Sequence, residues 1–298
     1  MLRLRTLLLC LGARMPLGSL ARLLKRGRAY EGDMFVSSIE GRGRDVVFVH
    51  GLTASPECWE GVDDASLPGV RAHFIHLRGF AGLAPSPNRQ PGNYLRPLAD
   101  ELAAYIRLQT KGRVAVVGHS MGGIVSLILA MEHPELVERL MVVDVPAFFS
   151  VLINPFLTSG SAAALADAAR RRYVENSEAA FEDGVWRASE KLVTSPALVE
   201  RIAHWGLTSD RQTTADVMAE VMTTDLRGDM RRIAAPTDVI YAWDRAGHSS
   251  RVVLDQTYAS AYAGLADLNK LRIDDARHYI MLDQPDAFYR AMREWLAR

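Results

Sequence analysis

From Met34 onward, short runs of β-branched and other apolar residues alternate with longer segments of helical period. Strands that are apolar on consecutive positions are buried on both faces, so the alternation predicts a mostly parallel central sheet flanked by helices on both faces. The clearest strand signals are Val46–Val49, His73–Leu77, Val114–Val117, Leu140–Val143, Val239–Ala242 and Leu268–Ile273. Helices fit between or after them at Tyr94–Leu108, Met121–Met131, Arg251–Tyr262 and Pro285–Leu296, each long enough for a right-handed crossover.

The alternation lapses between residues 146 and 230, where helical patches (Ala162–Arg172, Ala179–Lys191, Thr213–Met222) are separated by polar breaks and no strand is evident. This predicts a helical cap inserted into an α/β core made of residues 31–145 and 231–298. The cap opens on an apolar segment, Phe148 to Leu157, suited either to lining a cleft or to packing helices. Residues 1–30 form a separate basic, leucine-rich leader.

Charge sharpens that division. The chain carries 35 basic and 35 acidic residues, yet no acidic residue precedes Glu31, while Arg3, Arg5, Arg14, Arg22, Lys25, Arg26 and Arg28 precede it. The body is therefore acidic and is not a nucleic-acid binder on charge grounds. Within the leader, the uncharged run Thr6–Ala13 is too short to span a bilayer. It reads as a basic amphipathic helix, with weak membrane-surface association or export as alternatives to a cytoplasmic protein. Two cysteines, Cys10 and Cys58, provide neither a disulfide framework nor a metal set. No phosphate-binding glycine loop or flavin signature is present, so no cofactor and no metal are expected.

The chemistry concentrates at one junction. The strand Val114–Val117 runs into Gly118-His119-Ser120-Met121-Gly122-Gly123 and then into a helix. A serine on so sharp a strand-to-helix turn is held with its hydroxyl projecting into a cleft, and glycines two residues away on either side let neighbouring chains pass close.

On that elbow the chain resembles the α/β-hydrolase family, and the order of elements from Met34 to Arg298 is similar to the family's as well. The resemblance implies a serine hydrolase with Ser120 as nucleophile. It implies an oxyanion hole formed by the backbone N–H groups of Leu52, in the turn His50-Gly51-Leu52 after Val46–Val49, and of Met121. The general base implied is His278, placed between the last strand and the terminal helix, with His248 as the distant alternative. The acid implied is Asp244, in the turn Tyr241-Ala242-Trp243-Asp244-Arg245. There Ala242 replaces a customary glycine, and Asp144, one strand earlier, is the alternative.

The turn Arg78-Gly79-Phe80-Ala81-Gly82 is similar to one in bacterial esterase-like members, although His76 stands where many relatives carry an aspartate. The function implied is hydrolysis of a carboxylic ester through an acyl-enzyme, on a small-molecule substrate with a hydrophobic part. The same triad serves C–C bond, lactone and thioester hydrolases, and a non-catalytic binding module on this fold is the reading from another class.

Overall fold

In a computed structural model that describes residues 28–247 and 250–298, the core strands are β1 (Arg28–Glu31), β2 (Phe35–Gly41), β3 (Arg44–Val49), β4 (Val70–Leu77), β5 (Val114–His119), β6 (Val137–Val143), β7 (Thr237–Trp243) and β8 (Leu268–Asp274). They form one sheet in the order β1-β2-β4-β3-β5-β6-β7-β8. The pairs β1–β2 and β2–β4 are antiparallel, and every later pair is parallel. Most of the leader, and His248, lie outside the described residues. Edge strand β1 begins at Arg28, so the leader boundary expected at residue 30 falls inside the sheet. Short, partly polar strands give weak alternation, which is why β1 and β2 escape notice in the sequence.

Both faces of the sheet are covered. Along β5, Val114 and Val116 enter one core while Ala115 and Val117 enter the other, and β3, β6 and β7 alternate likewise. Helices α1 (Leu95–Gln109) and α2 (Met121–Glu132) contribute to the first core. The helix α7 (Arg251–Ala261) joins them there, while α9 (Pro285–Ala297) fills the second core after the short α8 (Ile280–Asp283). Two-sided burial explains the consecutive apolar residues of the strands.

Between β6 and β7 run α3 (Ser159–Glu175), α4 (Glu178–Leu192), α5 (Pro196–Leu207) and α6 (Arg211–Thr223). Helix α3 packs on α6, and α4 on α5. Helix starts are set locally: Thr158 and Ser161 form a capping box, Pro196 occupies the first turn of α5, and the Asp210 carboxylate accepts the Thr213 N–H at 2.7 Å. The helix over Pro196–Leu207 has no counterpart among the sequence-based expectations. The apolar opening segment divides. Phe148 and Val151 are buried against Ala162, whereas Ile153 and Phe156 are exposed.

The α3–α6 pair is anchored by charge. Asp216 is nearly buried and takes both Arg170, at 2.6 Å, and Arg89. Glu220 accepts the N–H groups of Tyr94 and Leu95 at 2.7 and 3.0 Å, capping α1 from the insertion.

Candidate active site

The parallel strands β3, β5, β6, β7 and β8 deliver their carboxyl ends to one edge, the place where open α/β sheets build their sites. Five loops leave from there, and they carry Leu52, Ser120, Asp144, Asp244 and His278 respectively.

Ser120 sits between β5 and α2 with φ 54° and ψ −123°, a conformation that costs a non-glycine residue about 1–3 kcal/mol. Its N–H donates to the Val143 carbonyl at 2.9 Å, which ties the turn to β6. The flanking glycines are required by contact. A Cβ on Gly118 would lie 2.3 Å from the Gly122 carbonyl oxygen, and one on Gly122 would lie 2.3 Å from the Val49 carbonyl oxygen. Tertiary packing therefore holds the strained serine in place.

Because Val49 pairs with Gly118, the His50-Gly51-Leu52 turn leaves β3 directly beside the elbow. His50 is fully buried, its Nδ1 bonded to the Gly51 carbonyl at 2.8 Å while its Nε2 accepts the Leu77 N–H at 3.1 Å. Burial, and secondarily the neighbouring His76, push its pKa down to about 3. His50 is thus a neutral pin for the turn. Among the described residues, neither the Leu52 N–H nor the Met121 N–H is engaged by an acceptor. Met121 opens α2, where first-turn N–H groups have no partner within the helix.

His278 follows β8, and its Nδ1 lies 2.8 Å from Asp144 Oδ2. Asp144 has φ 53°. Its N–H donates to the Ile240 carbonyl at 2.8 Å, and its Oδ1 accepts the Ala242 N–H at 2.9 Å, so its side chain extends the β6–β7 ladder. Tyr258 Oη stands 3.4 Å from the same oxygen. Burial, with the Asp144 charge next in weight, raises the Tyr258 phenol well above its usual range and keeps it a donor.

Asp244 was the carboxylate expected beside His278, and it is engaged elsewhere. Its Oδ2 accepts Arg277 Nε at 2.6 Å and its Oδ1 accepts the Gly247 N–H at 2.7 Å. Burial alone would raise its pKa, but the Arg277 hydrogen bond, the Gly247 N–H and the Arg277 charge outweigh that and lower it. The guanidinium one residue before His278 captures the carboxylate of β7, leaving the imidazole to that of β6.

The chain before and after His278 is gripped by the insertion. Arg277 Nη1 donates to the carbonyls of Glu190 and Val193 at 2.5 and 2.9 Å, and the Tyr279 N–H donates to the Leu192 carbonyl at 3.2 Å. Sequence reasoning missed Arg277. A lone cation in a loop between buried segments was the available signal. Among the described residues, no cluster of three histidine, cysteine or acidic side chains could hold a metal ion, and no helix is long and apolar enough to cross a membrane.

Comparisons agree with this architecture. Residues 46–291 match the alpha/beta hydrolase family. A curated relative from Pantoea ananatis, named "Putative carbamate hydrolase RutD", is 25% identical over 85% of this chain and 88% of its own length. A pimeloyl-(acyl-carrier protein) methyl ester esterase from Aeromonas hydrophila is 35% identical over a shorter stretch, 35% of this chain and 38% of the relative. Among solved structures, a hydrolase from Pseudomonas aeruginosa superposes with a TM-score of 0.73 at 20% identity, covering 89% of this chain and 94% of the other. With the elbow, the sheet order and this match over most of its length, the chain belongs to the alpha/beta hydrolase family.

Proposed function

We propose that the protein is a serine hydrolase that cleaves a carboxylic ester through an acyl-enzyme, with Ser120 as nucleophile, His278 as general base and Asp144 as the acid that orients it. The 2.8 Å contact between His278 Nδ1 and Asp144 Oδ2 carries this reading, since it leaves Nε2 as the nitrogen available to a serine hydroxyl. A hydroxyl is a poor nucleophile near neutral pH and needs such a base.

Ser120 Oγ attacks the ester carbonyl carbon as its proton passes to His278 Nε2. The oxyanion that develops is held by the N–H groups of Leu52 and Met121. Collapse breaks the acyl–oxygen bond, and the departing alkoxide takes the proton from His278 and leaves as the alcohol. Water then attacks the acyl-enzyme, giving its proton to the same nitrogen, which returns it to Ser120 Oγ as the carboxylic acid departs.

A substrate with an apolar part is included in this proposal. The carbamate named for the relative that matches over most of the chain is an acyl substrate of the same geometry, and so are lactones and thioesters. A fluorophosphonate probe tests the reading. Adduct on Ser120 that disappears in Ser120→Ala is expected, followed by turnover of short-chain p-nitrophenyl esters ahead of carbamate, lactone, thioester and C–C substrates. Folded protein that takes no adduct would favour a binding module instead.

A further inference from the structure

We infer that His119 is a positioning residue for the general base: its imidazole ties the backbone of His278 to the nucleophile elbow, fixing the distance between the loop after β8 and the turn after β5. This rests on the proposed roles of Ser120 and His278. His119 immediately precedes Ser120, so its ring is fixed by the backbone that positions the nucleophile. Its Nε2 lies 2.9 Å from the His278 carbonyl oxygen. Only an N–H can serve a carbonyl, so His119 carries its proton on Nε2.

The ring is completely buried and lies 4.5 Å, centroid to centroid, from the His278 ring. It is further boxed in by Tyr279 at 4.8 Å and by Trp59, edge-on, at 6.3 Å. Among the described residues, Nδ1 is buried with no hydrogen-bond partner, so one nitrogen is spent on the His278 loop and the other on nothing. A packing residue at this position would be better served by a phenyl ring, which leaves no buried lone pair unpaired. The polar ring is accounted for by the one bond it makes.

Neutrality suits that task. Burial first, and the neighbouring His278 second, hold His119 well below the usual histidine range. When His278 takes the serine proton it becomes cationic. A second cation 4.5 Å away would oppose that step, and a neutral donor does not. The backbone of His278 is thereby held from the elbow side by His119, while Asp144 holds its ring from β6.

The test compares His119→Phe, which keeps a ring without a donor, with His119→Gln, whose amide nitrogen reaches a similar place. With wild-type Ser120 first shown to take a fluorophosphonate, His119→Phe is expected to lose about tenfold or more in kcat and in labelling rate, with KM within about twofold. His119→Gln is expected to recover most of the loss. A change in KM alone, or equal activity of wild type and the folded Phe variant, would overturn the inference. Should the Phe variant not fold, histidine nitrogen NMR on the wild-type protein decides: a neutral His119 protonated on Nε2 is expected, and protonation on Nδ1 would refute it. Failure of Ser120 itself to label would instead refute the proposed function and is read separately.

Discussion

The His278 imidazole and the Asp144 carboxylate meet across the sheet edge at 2.8 Å, one borne by the loop after β8 and the other by the first residue after β6. Strand β7 lies between those two in the sheet, and its own carboxylate, Asp244, is turned to Arg277. Two similar aspartates on neighbouring strands are thus assigned different work by one arginine.

Asparagine substitutions separate them. Asp144→Asn removes the acceptor that selects the His278 tautomer and is expected to lower kcat by about three to four orders of magnitude with the fold retained. Asp244→Asn weakens a half-buried ion pair and is expected to cost about 1–3 kcal/mol of stability with a much smaller loss of turnover. Chemical denaturation and kcat on one ester measure both, and the opposite ranking would return the acid to Asp244.

That ambiguity shows where sequence legibility ends here. The parallel sheet, the elbow and His278 are local or periodic features, carried by apolar runs such as Val114–Val117 and by turn chemistry at Gly118 and Gly122. Choosing between Asp144 and Asp244 requires knowing what Arg277 touches, and its partners Asp244, Glu190 and Val193 are far from it in sequence. A more telling signal was present at Asp144, a carboxylate set between Val143 and Val145 at the end of a buried strand, where charge persists only with partners. Helix α5 was obscured for another reason: the polar breaks at Thr194-Ser195-Pro196 and Thr208-Ser209-Asp210 close off a twelve-residue segment on both sides, so that it reads as part of the broken stretch between longer helical patches.

The elbow glycines yield a second prediction. A methyl group on Gly118 or Gly122 meets backbone oxygens that cannot swing aside, at 2.3 Å in both cases. Gly122→Ala is expected to destabilise the fold by about 1–3 kcal/mol or more and to abolish labelling of Ser120, because the β3 turn bearing Leu52 must move away from the elbow. Gly160→Ala, at a helical site with open space around the Cα, is the control and should be close to neutral or slightly stabilising. Thermal unfolding together with probe labelling distinguishes the two.

Arg277 supplies a third. Its guanidinium joins Asp244 to two carbonyls at the end of α4, so the loop bearing His278 and the insertion are parts of one hydrogen-bonded unit. Arg277→Lys retains the charge but cannot reach three acceptors in the same fork geometry. It is expected to lower both stability and kcat, whereas Arg187→Lys, in an exposed pair with Asp183 within α4, should change neither measurably. Hydrogen exchange in residues 190–194 should quicken in the first variant only.

Stability should also fall with acid through the buried histidines. His50 and His119 are fully buried and held neutral, the first with a pKa of about 3 and the second well below the ordinary value. Unfolding releases both to a pKa near 6.5, so below that pH the unfolded chain binds protons that the native protein does not. The stability from keeping these rings neutral is complete above about pH 6.5. It declines as pH falls toward the native values, with a limiting slope of about 1.4 kcal/mol per pH unit for each ring. Urea unfolding at pH 7.5, 6.5, 5.5 and 4.5 is expected to show nearly constant stability between the first two and a steepening loss below. Buried His73 is also held below the usual histidine range, by desolvation, and adds to the decline. His119→Gln removes one of these rings and should flatten the decline, and an unchanged slope in that variant would mean that His119 is not neutral in the native protein.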